Sequence, residues 1–417
     1  MTLPQMLRIR QKLDETRIGD VAAAVRSEME RIKLSTRIKP GSQIAITAGS
    51  RGIADFAAVI KAIVNEVKGV GGNPFIIPAM GSHGGATAEG QREVLAEYGI
   101  TEKTMGAPIV SSMEVKQIGE TQTGIPVLID KNAAEADGII VVNRIKVHTE
   151  FQGEIESGLM KMMVIGMGKH KGTILAHRFA VKYGYERTIK EIGQTILDNA
   201  PVVLGVGILE NGLRQLAEII AVESENILDQ EKKLLAKARG KTPKLPFGQM
   251  DILIVDEAGK DISGTGIDTK VIGRIMNIYE LEVDHPKITR IILRDLSEKT
   301  KGNALGVGLA DFVLKRVTDK MDYKSTYLNC VTAVTPEKGK LPIVCENDKE
   351  AIDFAIATAG PVDAENIRMV WIKNTSSLDT MLVSKPFWEE IKSNNNLEII
   401  EEMVELKFDE DENLIKA

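Results

Sequence analysis

Cysteine is nearly missing: Cys330 and Cys345 are the only two in 417 residues. That excludes a disulfide framework, a four-cysteine zinc site and a self-contained iron–sulfur cluster. A basic surplus is missing too. Lys and Arg total 53 against 59 Asp and Glu, a formal net charge of −6, which argues against a nucleic-acid binder that relies on a strongly basic surface. No apolar run approaches the ~18 uninterrupted residues of a membrane-spanning helix. The opening segment is charged throughout and lacks the apolar core of a signal peptide. A soluble cytoplasmic protein, with no nucleic acid or membrane as partner, is expected. Aromatics are only 4% while glycine numbers 37, so glycine-rich turns should be prominent. Charged residues at 27% and hydrophobic ones at 43% are ordinary globular values, which excludes a largely disordered chain. The length suits roughly two to three domains.

Short apolar runs alternate with helical patterns. Strands are expected at 42–47, 73–79, 138–143 and 202–206, with helices at about 54–67 and 89–98 between them. Strand, glycine-containing loop, helix, strand is the βαβ signature. A basic, Pro- and Gly-containing stretch at 238–249 reads as a linker. Beyond it the pattern restarts, with strands at 251–255, 289–294 and 368–373 and helices at about 303–316 and 349–358. The expectation is α/β: two α/β domains with mainly parallel sheets and an active-site cleft between them. The domains are 1–245, which would bind a cofactor, and 249–395, which would close on substrate, followed by an acidic segment 396–417. Ligands in open α/β sheets bind outside the carboxyl ends of strands, where the loops 48–52, 80–87 and 144–153 fall.

Five histidines carry most of the chemical information. His83 follows a strand in Met80-Gly-Ser-His-Gly-Gly-Ala-Thr87, where small neighbours let a ligand approach the backbone; the competing reading is a turn histidine. His148 also follows a strand, beside Arg144 and Lys146; the competing reading is a surface loop residue. His170 and His177 lie seven apart, two helical turns, but His170 in Gly168-Lys-His-Lys-Gly172 reads as solvent-facing. His285 precedes Pro286 in an acidic loop and reads as structural. No His-Glu-x-x-His metal motif occurs. Lys161 lies in an apolar run, Gly158 to Ile165, so it must snorkel, pair with a carboxylate or sit desolvated, in which case it becomes nucleophilic. Ser50 and Arg51 sit in a glycine-flanked turn before a helix, suited to a phosphate or carboxylate, although neither a P-loop nor a Gly-x-Gly-x-x-Gly fingerprint is present. The methionines around Lys161 read as core packing. In the second domain the polar loop 256–266, with Ser263 in it and Lys270 just beyond, is a candidate substrate loop.

Taken in order, His83, His148, Lys161 and then His177 sixteen residues after Lys161 resemble the nickel-pincer lactate racemase family. The resemblance covers the first domain and, more loosely, the two-domain layout. It implies a racemase or epimerase of 2-hydroxy acids. The cofactor would be a nickel-pincer nucleotide, a pyridinium mononucleotide made by cofactor-biosynthesis proteins and joined to Lys161 through a thioamide. His177 would be the protein's metal ligand. His83 and His148 would be the catalytic acid/base pair, one taking the hydroxyl proton while the α-hydrogen leaves as hydride, giving a 2-keto acid that is reduced from the other face. Arg51 and Ser50 would anchor the nucleotide, and Lys270 and Ser263 would meet substrate.

This sequence departs from the family twice. The Tyr-Gln pair that usually precedes the substrate lysine is absent from Asp261 to Lys270, which implies a roomier pocket and a substrate larger or more polar than lactate, such as a sugar acid. Gly-Ser-Arg-Gly also replaces the family's Asp-x-Thr-Arg turn. Two other classes stay open. One is a non-redox hydrolase or lyase with His83, His148 and His177 as direct metal ligands. The other is a phosphate- or sugar-acid-binding protein without turnover. The expected assembly is a monomer or homodimer.

Overall fold

The computed structural model describes residues 3–50 and 52–415. The chain divides into two compact units. One is Asp14–Thr242; the other joins the segment up to Leu13 with the chain from Pro243 onward. No helix among the described residues is long and apolar enough to cross a membrane.

The Asp14–Thr242 unit is built on a five-stranded sheet in the order Asn73–Pro78, Gln43–Ala48, Gly138–Arg144, Val202–Glu210, Leu216–Glu223. The first four strands are parallel and the last is an antiparallel return. The runs are apolar on both sides, as strands covered on two faces must be. Successive residues alternate between two cores. Ile44, Ile46, Ile140 and Val142 pack with helices Val21–Arg31 and Phe56–Gly69. Ala45, Ile139 and Val141 pack on the other face with Met160, Ile189, Ile192 and Leu234, from the helical segments after residue 158. An antiparallel ribbon, Val115–Glu120 with Pro126–Asp130, completes the unit.

The other unit contains an eight-stranded sheet. Its order is Ile343–Cys345, Phe312–Leu314, Lys287–Leu293, Gln249–Val255, Met369–Ile372, Thr380–Ser384, Met6–Gln11, Leu397–Val404. The first five strands are parallel and the rest antiparallel. The expected α/β class with mainly parallel sheets is therefore the observed one.

Three details differ from expectation. Residues 6–11 do not belong with the segment that follows them. Met6, Leu7 and Ile9 are buried in the C-terminal sheet, and Arg8 pairs with Glu401 at 2.9 Å. The acidic tail is no separate segment, because Leu397–Val404 is the strand that flanks them. The helix expected at 303–316 is instead a 3-10 turn at Val307–Leu309, the strand Phe312–Leu314 and the helix Lys315–Lys320. Gly306 at φ 95° interrupts any helix there, and Phe312 gains sheet partners in Ile292 and Ile343.

Both tryptophans, Trp371 and Trp388, lie in the C-terminal unit, so their fluorescence reports its unfolding alone. Ile9→Ala is expected to cost that transition about 2–5 kcal/mol, as for other buried large-to-small changes. A urea curve unchanged in midpoint would contradict the placement of the N-terminal strand.

Candidate active site

His83 is presented by the loop that follows the strand Asn73–Pro78. Two glycines shape it. A Cβ on Gly81, at φ 60°, would lie 2.7 Å from the Thr173 hydroxyl, and one on Gly84, at φ 63°, would lie 2.6 Å from the Gln91 nitrogen. The His83 ring is exposed, and its Nδ1 meets the Ser50 hydroxyl. Ser50 comes from the neighbouring strand end, where Tyr98 donates to its carbonyl at 2.9 Å.

His148 is held by a second loop, after the strand Gly138–Arg144. Lys146 and Ser157 exchange backbone hydrogen bonds at 2.8 and 3.2 Å and close this loop at its base. Inside it, Glu156 is 1% exposed. Its carboxylate accepts the His148 N–H at 2.5 Å and the Gly153 N–H at 3.3 Å, and it pairs with Arg239 at 2.6 Å. The His148 ring has a defined polarity. Its Nδ1 accepts the Glu150 N–H at 3.0 Å, so in the neutral ring the proton sits on Nε2. That Nε2 faces Lys161 Nζ.

Lys161 ends a single helical turn, Leu159–Lys161, and a wide π turn follows, Met162–Gly166, closed by the Met167 N–H to the Met162 carbonyl at 2.9 Å. Met160, Met162, Met163 and Met167 are all buried, which is the core packing expected of them. Asn143 donates to the Gly158 carbonyl at 2.7 Å, and Glu231 accepts the Met160 N–H at 2.8 Å. Glu231 is completely buried. Burial pushes its carboxyl up to about 7, against the opposing pull of the backbone N–H groups.

His177 stands on the helix Lys169–Tyr183. Burial is the main cause that pulls its imidazole down to about 4, and positive charge on Lys161 acts in the same direction. The neutral ring keeps a lone pair for a metal. An aromatic path joins the two histidines. His148 lies 4.6 Å from Phe151, Phe151 stacks on Tyr185 at 5.4 Å, and Tyr185 meets the edge of His177 at 5.8 Å.

Two cavities meet at Lys161. One, the more polar of the two, sets Ser50, His83, Asn143, Arg144, Lys146 and Ser157 beside the apolar Ile53, Met80, Met162 and Ile165. The other is small and apolar and is lined by His148, Phe151, Ala176, His177, Tyr185 and Ile189. Arg144 pairs with Glu210 at 2.5 Å, and Glu210 also accepts the Ala54 N–H at 2.9 Å, steadying the turn after Ser50.

Of the residues singled out from sequence, His83, His148, Lys161, His177 and Ser50 line these two joined cavities. Arg51 lies outside the described residues. Ser263 and Lys270 belong to the C-terminal unit, where they share Asp268. Its carboxylate accepts from the Ser263 hydroxyl at 3.4 Å and from the Lys270 N–H at 3.0 Å. His170 and His285 are exposed. The three-histidine metal site is corrected: among the described residues no group of three or more His, Cys, Asp or Glu is placed to hold a metal. The rings are turned to separate partners, His83 to Ser50, His148 to Lys161 and His177 to Tyr185, whose hydroxyl is 3.4 Å from Nδ1. Sequence reasoning missed Asn143 and Ser157 as lining residues and took Arg144 and Lys146 only as basic neighbours. Strand alternation pointing Arg144 and Lys146 the same way was the available signal. Glu156 and Glu231 had none, since each acts on a loop through a backbone N–H.

Glu231 supplies a pH test. Its folded value of about 7 stands above the ordinary 4.5, so between them the folded state holds a proton that the unfolded state has lost. That stabilisation is full below about 4.5 and is lost as pH rises through about 7. Glu231→Gln keeps an acceptor for Met160 but cannot ionise. Its thermal midpoint is expected to exceed the wild type's by an amount that grows from about pH 5 to about pH 8. The opposite dependence from His177 is common to both proteins and cancels. A difference that stays constant with pH would contradict a buried neutral carboxyl.

Comparison with known proteins adds two findings. Residues 4–188 match the lactate racemase N-terminal domain. The lactate racemase apoprotein from Thermoanaerobacterium thermosaccharolyticum has a similar fold, with a TM-score of 0.52 and 14% identity over 88% of this chain and 94% of that one. O-ureido-L-serine synthase, at a TM-score of 0.14 and 12% identity over 89% of each chain, is too dissimilar to inform the fold. No curated protein matches the chain. The segment that carries His83, His148, Lys161 and His177 is thus similar to the lactate racemase N-terminal domain.

Proposed function

We propose that the protein is a racemase or epimerase that inverts C2 of a 2-hydroxy acid, using a nickel-pincer nucleotide attached to Lys161. The observation that carries this reading is the placement of Lys161 between the more polar and the apolar cavity, with His148 Nε2 on its amine. The residues present fit such a group. Lys161 is the attachment point. His177 offers one neutral imidazole to a metal that the protein, with no cluster of ligands among its described residues, would receive already held by the nucleotide. Arg144 and Lys146 give the polar cavity cationic side chains suited to a phosphate, and we assign Arg51 and Ser50 to the same anchoring. When bound, the group supplies a hydride acceptor for the substrate's α-hydrogen.

The chain's own residues handle the proton and the substrate. His83 works through Nε2, since Nδ1 is turned to Ser50. His148 works through Nε2 as well, since Nδ1 is fixed by Glu150. Once Lys161 is acylated its nitrogen no longer accepts a proton, and the His148 Nε2–H is released to serve substrate. Two imidazoles of this kind, one for each face, exchange the hydroxyl proton in either direction near neutral pH. Lys270 and Ser263 are assigned to the carboxylate and a further hydroxyl of the substrate. The polar loop that holds them, without the family's Tyr-Gln pair, favours a substrate larger or more hydroxylated than lactate.

Protein made alongside the cofactor-producing enzymes should carry a covalent mass increase on Lys161 and about one nickel per chain. Lys161→Ala should lose both. His177→Ala should keep the adduct and give up its nickel faster to a chelator. His83→Ala and His148→Ala should keep both while α-hydrogen exchange on a panel of 2-hydroxy acids falls by about 10²–10⁴-fold. An unmodified mass, from a host that loads a known family member, would overturn the assignment.

A further inference from the structure

Behind the polar cavity lies a charged side chain that this chemistry does not use. Lys169 is completely buried and adopts a left-handed φ of 53°, a conformation that non-glycine residues keep only where their surroundings enforce it. Its Nζ has three acceptors from three elements. One is the Pro78 carbonyl, at the end of the strand that leads to the His83 loop. The second is Gln91 Oε1 at 3.1 Å, on the helix Ala88–Glu97. The third is Asp130 Oδ2 at 3.1 Å, at the end of the ribbon strand Pro126–Asp130. Two hydrogen bonds, to Pro78 and Gln91, and an ion pair with Asp130 thus surround the buried ammonium. Burial draws the Lys169 amine below its ordinary value, and Asp130 opposes the shift. Asp130 is completely buried as well, and its Oδ1 accepts the N–H groups of Asn132 and Ala133 at 2.8 and 3.2 Å.

Gln91 transmits this arrangement. It is also completely buried, and its two amide ends are not interchangeable. With Oε1 taken by the ammonium, Nε2 points the other way. It donates to the Gly81 carbonyl at 2.9 Å and to the His83 carbonyl at 3.2 Å. A reversed amide would set N–H groups against an ammonium and oxygen against two carbonyls, so the charge on Lys169 selects the orientation. A side chain of equal bulk without charge would fill the space and make no such selection.

We propose that Lys169 is a positioning residue for His83, its ammonium acting through Gln91 to hold the Gly81–His83 backbone where the imidazole meets Ser50. This deepens the reading of His83 as a proton-handling group and rests on that reading only for its consequence in catalysis. The test therefore needs neither cofactor nor substrate. Full-length, cofactor-free protein carrying ¹⁵N- and ¹³C-labelled histidine gives five ring systems, assigned by single substitution. Nitrogen shifts report the hydrogen bonding of each ring nitrogen. In the wild type the His83 Nδ1 shift is expected to differ from that in Ser50→Ala, where the hydroxyl contact is removed. In Lys169→Met and in Gln91→Met it is expected to move to the Ser50→Ala position, while His148 and His177 keep their wild-type signatures. A merely structural role would lower the melting temperature and leave the His83 Nδ1 shift unchanged, and that result would overturn the proposal. So would a wild-type Nδ1 shift equal to that of Ser50→Ala, a comparison that needs neither the Lys169 nor the Gln91 variant to fold. If Lys169→Met does not fold, Gln91→Met decides alone, since it leaves the lysine and its carboxylate in place. Failure here leaves the Lys161 adduct experiment untouched, and failure there leaves this one untouched.

Discussion

The sheet Asn73–Pro78, Gln43–Ala48, Gly138–Arg144 and Val202–Glu210 is apolar on both faces, so no polar chemistry can be built along its length. Its strands run parallel, and their carboxyl ends therefore lie along one edge. Ser50, His83 and Lys146 all lie in the loops that follow such an end. The arrangement needs no long-range instruction: three apolar runs of similar length, each followed by a polar loop, bring those loops together once the runs pair. The hydrophobic term that forms the sheet is also what assembles the site.

The loops themselves are too polar and glycine-rich to be held by apolar packing, and buried ionisable groups hold them instead. Glu156, paired with Arg239, grips the His148 loop by its backbone. Gln91, oriented by Lys169, grips the His83 loop. Glu231 grips the turn that carries Lys161. A buried ion is tolerated when every hydrogen-bonding position is used. Glu156 accepts from His148, Gly153 and Arg239, and Lys169 has Asp130 beside it. Glu231 has no cation beside it and its Oε1 has no hydrogen-bond partner among the described residues, so burial raises its carboxyl to about 7. The C-terminal unit follows the same rule. Arg294 is 5% exposed and is matched by Asp256, both oxygens of Asp348, and the Leu414 carbonyl.

The order His83, His148, Lys161, His177 was legible because each residue breaks its own local pattern. A histidine among glycines and a lysine among methionines contradict what packing alone would select. The parallel sheets were legible from short apolar runs spaced by helical ones. What escaped notice was whatever depends on distant partners. Met6–Gln11 alternates like a strand, yet nothing within it says that its neighbours begin at residues 380 and 397. Phe312–Leu314 is only three residues long and was absorbed into a helical pattern, although Gly306 interrupts it. Glu231 sits in the amphipathic helix Ile227–Lys241, where a glutamate reads as solvent-facing. Lys169 reads the same way, because it neighbours Gly168 and His170 and its inward turn is produced by a positive φ that sequence does not announce.

Lys161 Nζ and the His177 ring border the same apolar cavity. Burial there holds the His177 imidazole in its uncharged form, and positive charge on Lys161 acts in the same direction. The uncharged imidazole is the form that keeps a lone pair for a metal, which is what the proposed function asks of it. The π turn after Lys161 shapes the same cavity. By widening the helix it brings Ile165 to the wall beside the lysine in both cavities. The cationic side chains Arg144 and Lys146 stay on the polar side, where an anion can be met.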